Sequence, residues 1–290
     1  PSPSLVDCGV EGNLGGGVLC SRRSSPTFDR CRISGNLSGN GSTLGGGLFC
    51  DEESAPSLVD CAIERNSIEV VCDETRPSCD GPLLGGGVHC AARSSPSFLN
   101  CVIAGNSVRL SGSCEVGCRV GGGGLHVGEG STPRLVNCLI AANFADEGGA
   151  LLGDAGAAPL LLNCTITANL RGAIVGAPGF LGALENCIVW NNSPDSVCCR
   201  VESCIVDDDP LFVAPDVGDY HLLPDSPAVD RGAFGAAPAF DLEGTARPCG
   251  AGIDVGAYER GGCPPATSFR RGDTDSSGAL VPNATTVRPM

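Results

Sequence analysis

Gly45–Asn66 reads GGGLFCDEESAPSLVDCAIERN, and variants of this stretch recur from the first residues to about residue 206. Three anchors define the recurrence. A glycine run opens it: GGGVLC from Gly15, GGGLFC from Gly45, GGGVHC from Gly85, GGGGLHV from Gly121 and GGALLG from Gly148. A proline then leads into a short apolar stretch ending in Cys: PSLVDC from Pro3 and Pro56, PTFDRC from Pro26, PSFLNC from Pro96, PRLVNC from Pro133 and PLLLNC from Pro159. Finally, an Asn stands five residues after Cys8, Cys31, Cys61, Cys101, Cys138, Cys164 and Cys187, at Asn13, Asn36, Asn66, Asn106, Asn143, Asn169 and Asn192. A spacing kept through seven copies marks a repeat architecture.

Segment length gives the kind of repeat. Each apolar run is three to six residues long and is bounded by Gly, Pro, Ser, Asp or Asn. That suits short strands and leaves no room for helices. The shortest units, Cys8 to Cys31 and Cys164 to Cys187, span 23 residues, enough for three short strands and three turns. This is one coil of a parallel β-helix, with coils stacked roughly 4.8 Å apart. The fold class is therefore all-β, a solenoid of about seven to eight coils and roughly 35 Å in length. A narrow cross-section filled by Leu, Ile, Val, Cys and Phe accounts for 42% apolar residues with only 4% aromatics.

The corners have their own chemistry. Asp60, Asn100, Asn137, Asn163 and Asn186 each precede a column Cys, where one strand must turn into the next; Asn and Asp tolerate left-handed backbone. Asn36, Asn66, Asn106, Asn143 and Asn169 form a second column, predicted to hydrogen-bond along the rod as an amide ladder. The glycine runs are assigned to the third corner, where positive φ or close approach is required.

The glycine runs, the SSP turns (Ser24–Pro26, Ser94–Pro96), the NC step and the I-x-x-N step (Ile33 to Asn36, Ile103 to Asn106) resemble the right-handed, single-stranded parallel β-helix repeats of bacterial secreted and surface proteins, of pectate-lyase-like fold. They are also similar to the GGA[IL] and FxxN repeats of polymorphic outer-membrane proteins. The resemblance covers residues 1–206. It implies an extracellular or cell-surface location, with outer-membrane association within its range, and a scaffold that hosts lyases, hydrolases, adhesins and stalks alike. Residues 207–260, with DDDPLF, GDYHLLPDSPAVDRG and DLEGTARPCGAGIDVGAYE, resemble the C-terminal segment that follows such repeats. This segment is expected to cover the open end of the rod, where bare strand edges invite pairing. Residues 261–290 read as a flexible tail. Within it FRRGDTDSSGAL resembles the start of a dockerin calcium loop, with Asp273, Asp275 and Ser277 at ligand positions. Ala284 stands where a bidentate acid belongs, so the resemblance stops short of a complete calcium site and implies no other cofactor.

Composition narrows the partners. Net charge is −15 and every cationic side chain is Arg, which argues against nucleic acid and anionic membranes. No apolar run reaches the roughly 18 residues of a transmembrane helix. The sequence opens inside a repeat, which reads as a fragment of a longer, exported protein. Nineteen cysteines favour an oxidising compartment. Cys72/Cys79 and Cys114/Cys118, in the two longest insertions, read as local disulfides. Cys20, Cys50 and Cys90 each lie eleven residues before a column Cys; they read either as disulfides with Cys31, Cys61 and Cys101 or as part of a stack of buried thiols. Cys198-Cys199 lacks metal-site spacing, and His89, His126 and His221 read as scattered.

The insertions Ser67–Leu84 and Ser107–Val120 leave the same corner of adjacent coils, and loops on one face of a rod are where recognition is expected. The first carries Glu69, Asp73, Glu74, Arg76 and Asp80, the second Arg109, Glu115 and Arg119. Together they form a mixed-charge ridge suited to a polar surface glycan or a protein ligand. Catalysis is the weaker expectation. A glycosidase needs paired carboxylates, and a β-helix lyase needs a basic residue beside calcium-holding acids. The Asp207-Asp208-Asp209 cluster leads straight into the C-terminal segment and reads as turn residues. The function expected is thus non-enzymatic binding, adhesion or structural display. The alternative is a polysaccharide lyase or glycoside hydrolase.

Overall fold

The computed structural model describes residues 2–21, 23–39, 45–72, 81–112, 118–194, 196–235 and 237–261. The repeat folds as read: every coil contributes a strand to each of up to three long sheets, and all pairing within them is parallel. The eight-stranded proline sheet runs from Ser4–Val6 to Arg200–Glu202, and the eight-stranded cysteine sheet from Gly9–Glu11 to Ile205–Val206. The six-stranded glycine sheet runs from Val18–Cys20 to Ile174–Gly176. The eighth level is a short one, with Ser203-Cys204-Ile205-Val206 stacked beneath Asn186-Cys187-Ile188-Val189. The only helical turn among the described residues is Pro215–Val217.

Equivalent residues stack in register because each coil repeats the last. Ile33, Ile63, Ile103, Ile140 and Ile166 form one inward column, every member fully buried. Left-handed backbone turns the corners: the residue before each column Cys has φ between 48° and 53°, whether it is Asn163, Asp60, Ser203 or even Arg30. An L-residue there costs about 1–2 kcal/mol, and side chains offset it. Arg30 bonds Asp7 (2.8 Å) and Asp29 (2.7 Å), while Asn100 donates to Asp60 and Asn137 to Asn100.

The glycine corner has a second requirement. Gly85 has φ +77°, and a Cβ on it would lie 2.4 Å from the Val88 carbonyl oxygen. Gly87 has ordinary φ, but its Cβ would meet the Gly124 carbonyl at 2.7 Å and the Asn106 amide at 2.9 Å. The run is therefore glycine because coil backbones and the ladder amides close in on one another there.

Two expectations are corrected. The insertions are not loops at their roots. Ser67–Cys72 and Ser107–Gly112 are six-residue strands paired in register, and Leu83–Leu84 and Val120–Gly121 pair on the return. Ile68, Val70 and Val108 from the outgoing pair pack on Leu83, Val120 and Ala145, giving a two-layered fin with its own small core. Nor do the described residues after 206 dock over the end of the rod; they dock on its flank. Phe212, Tyr220, Leu222, Ala228, Leu242, Val255, Ala257 and Tyr258 pack on Val102, Ala104, Leu139, Ala141 and Ile188, the outward residues of the cysteine sheet. The reason is that these strands are apolar on both faces, as strands covered on both sides must be.

Candidate functional site

The strand period of two sorts the fin's side chains. Ile68, Val70 and Val108 point inward; Ser67, Glu69 and Val71 alternate with them, as do Ser107, Arg109 and Ser111 on the neighbouring strand. The parallel register sets Glu69 against Arg109, Ser67 against Ser107 and Val71 against Ser111. With Arg65 and Gly105 at the corner they line an open cleft of about 480 Å³. The Arg109 guanidinium also lies 5.1 Å above the Phe144 ring, which fixes it over the next coil. Arginines, hydroxyls and a carboxylate held on paired strands form a rigid donor-rich face for a polar ligand.

Of the ridge expected from sequence, Glu69 and Arg109 come together. Arg119 does not join them; it pairs with Asp154 at 2.6 Å. Asp73, Glu74, Arg76, Asp80 and Glu115 lie outside the described residues, as do Asp273, Asp275 and Ser277. Cys72 and Cys118 are disulfide-bonded, while Cys79 and Cys114 lie outside the described residues. Sequence reasoning missed Arg65, Ser67, Ser107 and Ser111 in the cleft. The usable signal was the pair of Asn-Ser steps, Asn66-Ser67 and Asn106-Ser107, each followed by alternating apolar residues.

Beneath Arg119 lies a cluster the sequence reading passed over. His89 and His126 are not scattered: they are register partners on the glycine sheet, stacked at 4.8 Å with rings 10° from parallel, and Phe49 meets His89 edge-on at 5.1 Å. Burial, and next the neighbouring His126, push the His89 pKa down to about 3. His126 Nε2 is 3.3 Å from Asp154. That contact, joined by Arg119, lowers the Asp154 carboxyl to about 2. Among the described residues no group of three or more His, Cys, Asp or Glu side chains could hold a metal ion.

The ladder and the thiols hold the rod. Asn36, Asn66, Asn106, Asn143 and Asn169 each donate from backbone N and Nδ2 to the Oδ1 of the next Asn, at 2.8–3.1 Å, with Asn13 and Asn192 at the ends. Cys20, Cys31, Cys50, Cys61, Cys90 and Cys101 are free thiols, so the stack holds and the within-coil disulfides do not form. Column sulfurs donate to carbonyls instead, as Cys101 does to Leu99 (3.3 Å), and burial raises the Cys101 and Cys164 thiols well above the ordinary value.

The buried acids of the C-terminal segment, Asp241, Asp254 and Glu259, are engaged in its own hydrogen bonds. Arg247 and Glu259 form an ion pair at 3.3 Å with fully buried side chains. Glu259 accepts from the Cys249 and Asp254 amides, Asp241 from Glu243, Thr245 and Glu259, and Asp254 from Asp230 and Arg260. Asp209 accepts from the Leu211 amide, two residues on, as a turn residue does. His221, half-buried, sits between Asp219 (2.7 Å) and Glu243 (3.1 Å) and leans on Tyr258.

Residues 82–207 match the family model described as a right handed beta helix region. No curated protein matches the sequence. A solved chain described as the crystal structure of pectate lyase Pel9A is similar at 12% identity over 81% of this chain and 71% of its own, with a TM-score of 0.42. The chain is a right-handed parallel β-helix, and no helix of the described residues is long and apolar enough to cross a membrane.

Proposed function

We propose that this chain is a secreted or surface-displayed binding protein, without enzymatic activity, whose fin carries the recognition face. The observation that supports this is the cleft over Ser67–Cys72 and Ser107–Gly112. Polar groups converge there from two paired strands, whereas splayed insertions would have favoured a plain spacer. The ligand is a polar surface glycan or the polar face of a protein. A hydrolase needs two carboxylates about 5–10 Å apart, and among the described residues Glu69 is the one carboxylate lining this cleft.

The test is a glycan and protein array probed with the wild-type chain and with an Arg65→Ala/Arg109→Ala double variant, with and without calcium. Each lost charge-assisted hydrogen bond is worth about 1.5–3 kcal/mol, so the variant is expected to bind at least about 10-fold more weakly. Binding indifferent to the variant, or turnover of pectin or alginate by the purified chain, would overturn the proposal.

A further inference from the structure

The fin stops before the rod does. Ser107–Gly112 is an outer strand of the fin, with Ser67–Cys72 on one side and no further strand on the other among the described residues. The next coil meets it at one point: Phe144 bridges Ser107, donating to Asn106 O and accepting from the Val108 amide. The chain then crosses to the return layer. Ala145 packs on the fin's core, the Glu147 amide donates to Val120 O, and Glu147 bridges Gly121. Beyond Val108 the outgoing strand therefore runs on with one side open. This edge lies in the middle of the chain, with coils of the rod on both sides of it.

Residues of a parallel strand bond alternately to either side. The Ser107 amide donates to Asn66 O, so Ser107, Arg109 and Ser111 face Ser67–Cys72. Val108 and Leu110 face the other way. Phe144 takes up the Val108 amide; the Val108 carbonyl and both backbone groups of Leu110 have no partner among the described residues. Leu110 is half-buried against the fin's core, and Ser111 is exposed. The Arg109 guanidinium leans to the same open side, over the Phe144 ring.

We propose that this edge receives an extended segment of a partner polypeptide, added as a further strand of the fin. The inference rests on the reading of the fin as the recognition face and narrows its ligand to a protein. The incoming residue beside Arg109 donates to Val108 O and accepts from the Leu110 amide, and the next inward-facing amide donates to Leu110 O. This continues the pattern that Phe144 begins, as strand addition does. Side chains then select the segment. On the cleft face an acid meets Arg109; on the other face an apolar residue covers Leu110. The fin already contains a strand of this kind: in Ser67–Cys72, Glu69 is in register with Arg109 and Val70 with Leu110. A second copy of this chain is the poorer occupant. Its Ser107–Gly112 strand carries no acid, and two chains of net charge −15 repel one another.

The probe is a fluorescein-labelled peptide copying Asn66–Cys72 with Cys72→Ser, and far-UV circular dichroism confirms the fold of each protein variant. Fluorescence anisotropy is expected to show saturable binding to the wild type, at least about 10-fold weaker when the peptide carries Glu69→Lys. Arg109→Glu in the protein should lose the first peptide and take up the second, an exchange that a folding defect cannot produce. Leu110→Pro removes the open-side amide while sparing the bonds to Ser67–Cys72, and should abolish binding of both peptides. In the wild type, hydrogen exchange at the Leu110 amide should slow when peptide is added. No binding, binding indifferent to charge reversal, or unchanged exchange at Leu110 would overturn the proposal; a cleft ligand still held by the same protein would leave the recognition face standing. Wild type that dimerises and is made monomeric by Leu110→Pro would assign the edge to a second copy. Peptide binding that emerges only after removal of residues 262–290 would assign it to the chain's own tail. Either result would also overturn the proposal.

Discussion

Replacing Asn106 by Ala removes the middle rung of the amide ladder. The side chain is fully buried, and all four of its hydrogen-bonding positions are used. Nδ2 donates to Ile63 O (2.9 Å) and to Asn143 Oδ1 (3.0 Å). Oδ1 accepts from the Asn66 amide and from Asn66 Nδ2, both at 3.0 Å. In the variant two buried donors on Asn66 lose their acceptor, at about 1–3 kcal/mol each, so the cost is about 2–6 kcal/mol. Asn13 supplies the contrast. It is exposed, and its side chain makes one bond, to Asn36 Oδ1, which water can replace. Asn13→Ala is expected to cost under about 1 kcal/mol. Urea unfolding compares the two variants. Because solenoids unfold in parts, hydrogen exchange at the Asn66 amide provides the local reading and should speed up sharply in Asn106→Ala alone. Equal costs for the two variants, or an Asn66 amide as protected as in the wild type, would refute the ladder's energetic role.

Acid should act through His89. Its folded pKa of about 3 lies below the ordinary 6.5, so stability is full above pH 6.5 and falls towards pH 3 by up to about 1.4 kcal/mol per unit. His89→Phe, which matches Phe49 in the neighbouring strand, should flatten that part of the unfolding profile; an unchanged profile would count against it. His221 runs the other way. Glu243 first and Asp219 second raise it to about 9 despite its burial, so its contribution is complete below pH 6.5 and is lost as pH rises through 9. NMR titration should place its midpoint near 9 and lower it in Glu243→Gln, and a midpoint near 6.5 in the wild type would contradict the geometry. Leu242→Asp buries a charge under the flank segment and should undock it. Trp190, the chain's one tryptophan, meets Phe212 edge-on at 5.7 Å, so its emission should shift to the red while the strand signal persists. Unshifted emission would mean the segment holds without that contact.

The coil was legible because its spacing is set by stacking: Cys, then Asn five residues on, is what a column looks like in one dimension. The eighth level was harder to see because Cys187 to Cys204 is 17 residues instead of 23. The near-repetition of Glu185-Asn186-Cys187-Ile188-Val189 as Glu202-Ser203-Cys204-Ile205-Val206 would have revealed it. The flank docking was also written in the chain, in VIA at Val102 and LIA at Leu139, which are apolar at positions where a wet face needs polar residues. What no single stretch carries is pairing between insertions. Glu69 and Arg109 stand forty residues apart, and only the register of two coils makes them neighbours.

That pairing constrains how the recognition face can change. In a hairpin loop, residues can be added or removed one element at a time. Here each outgoing strand is the template for the one beside it, so lengthening Ser67–Cys72 alone would leave its extra amides without acceptors next door. A new specificity grafted onto this scaffold would have to be designed across two coils at once, as a matched pair of edits in the same register.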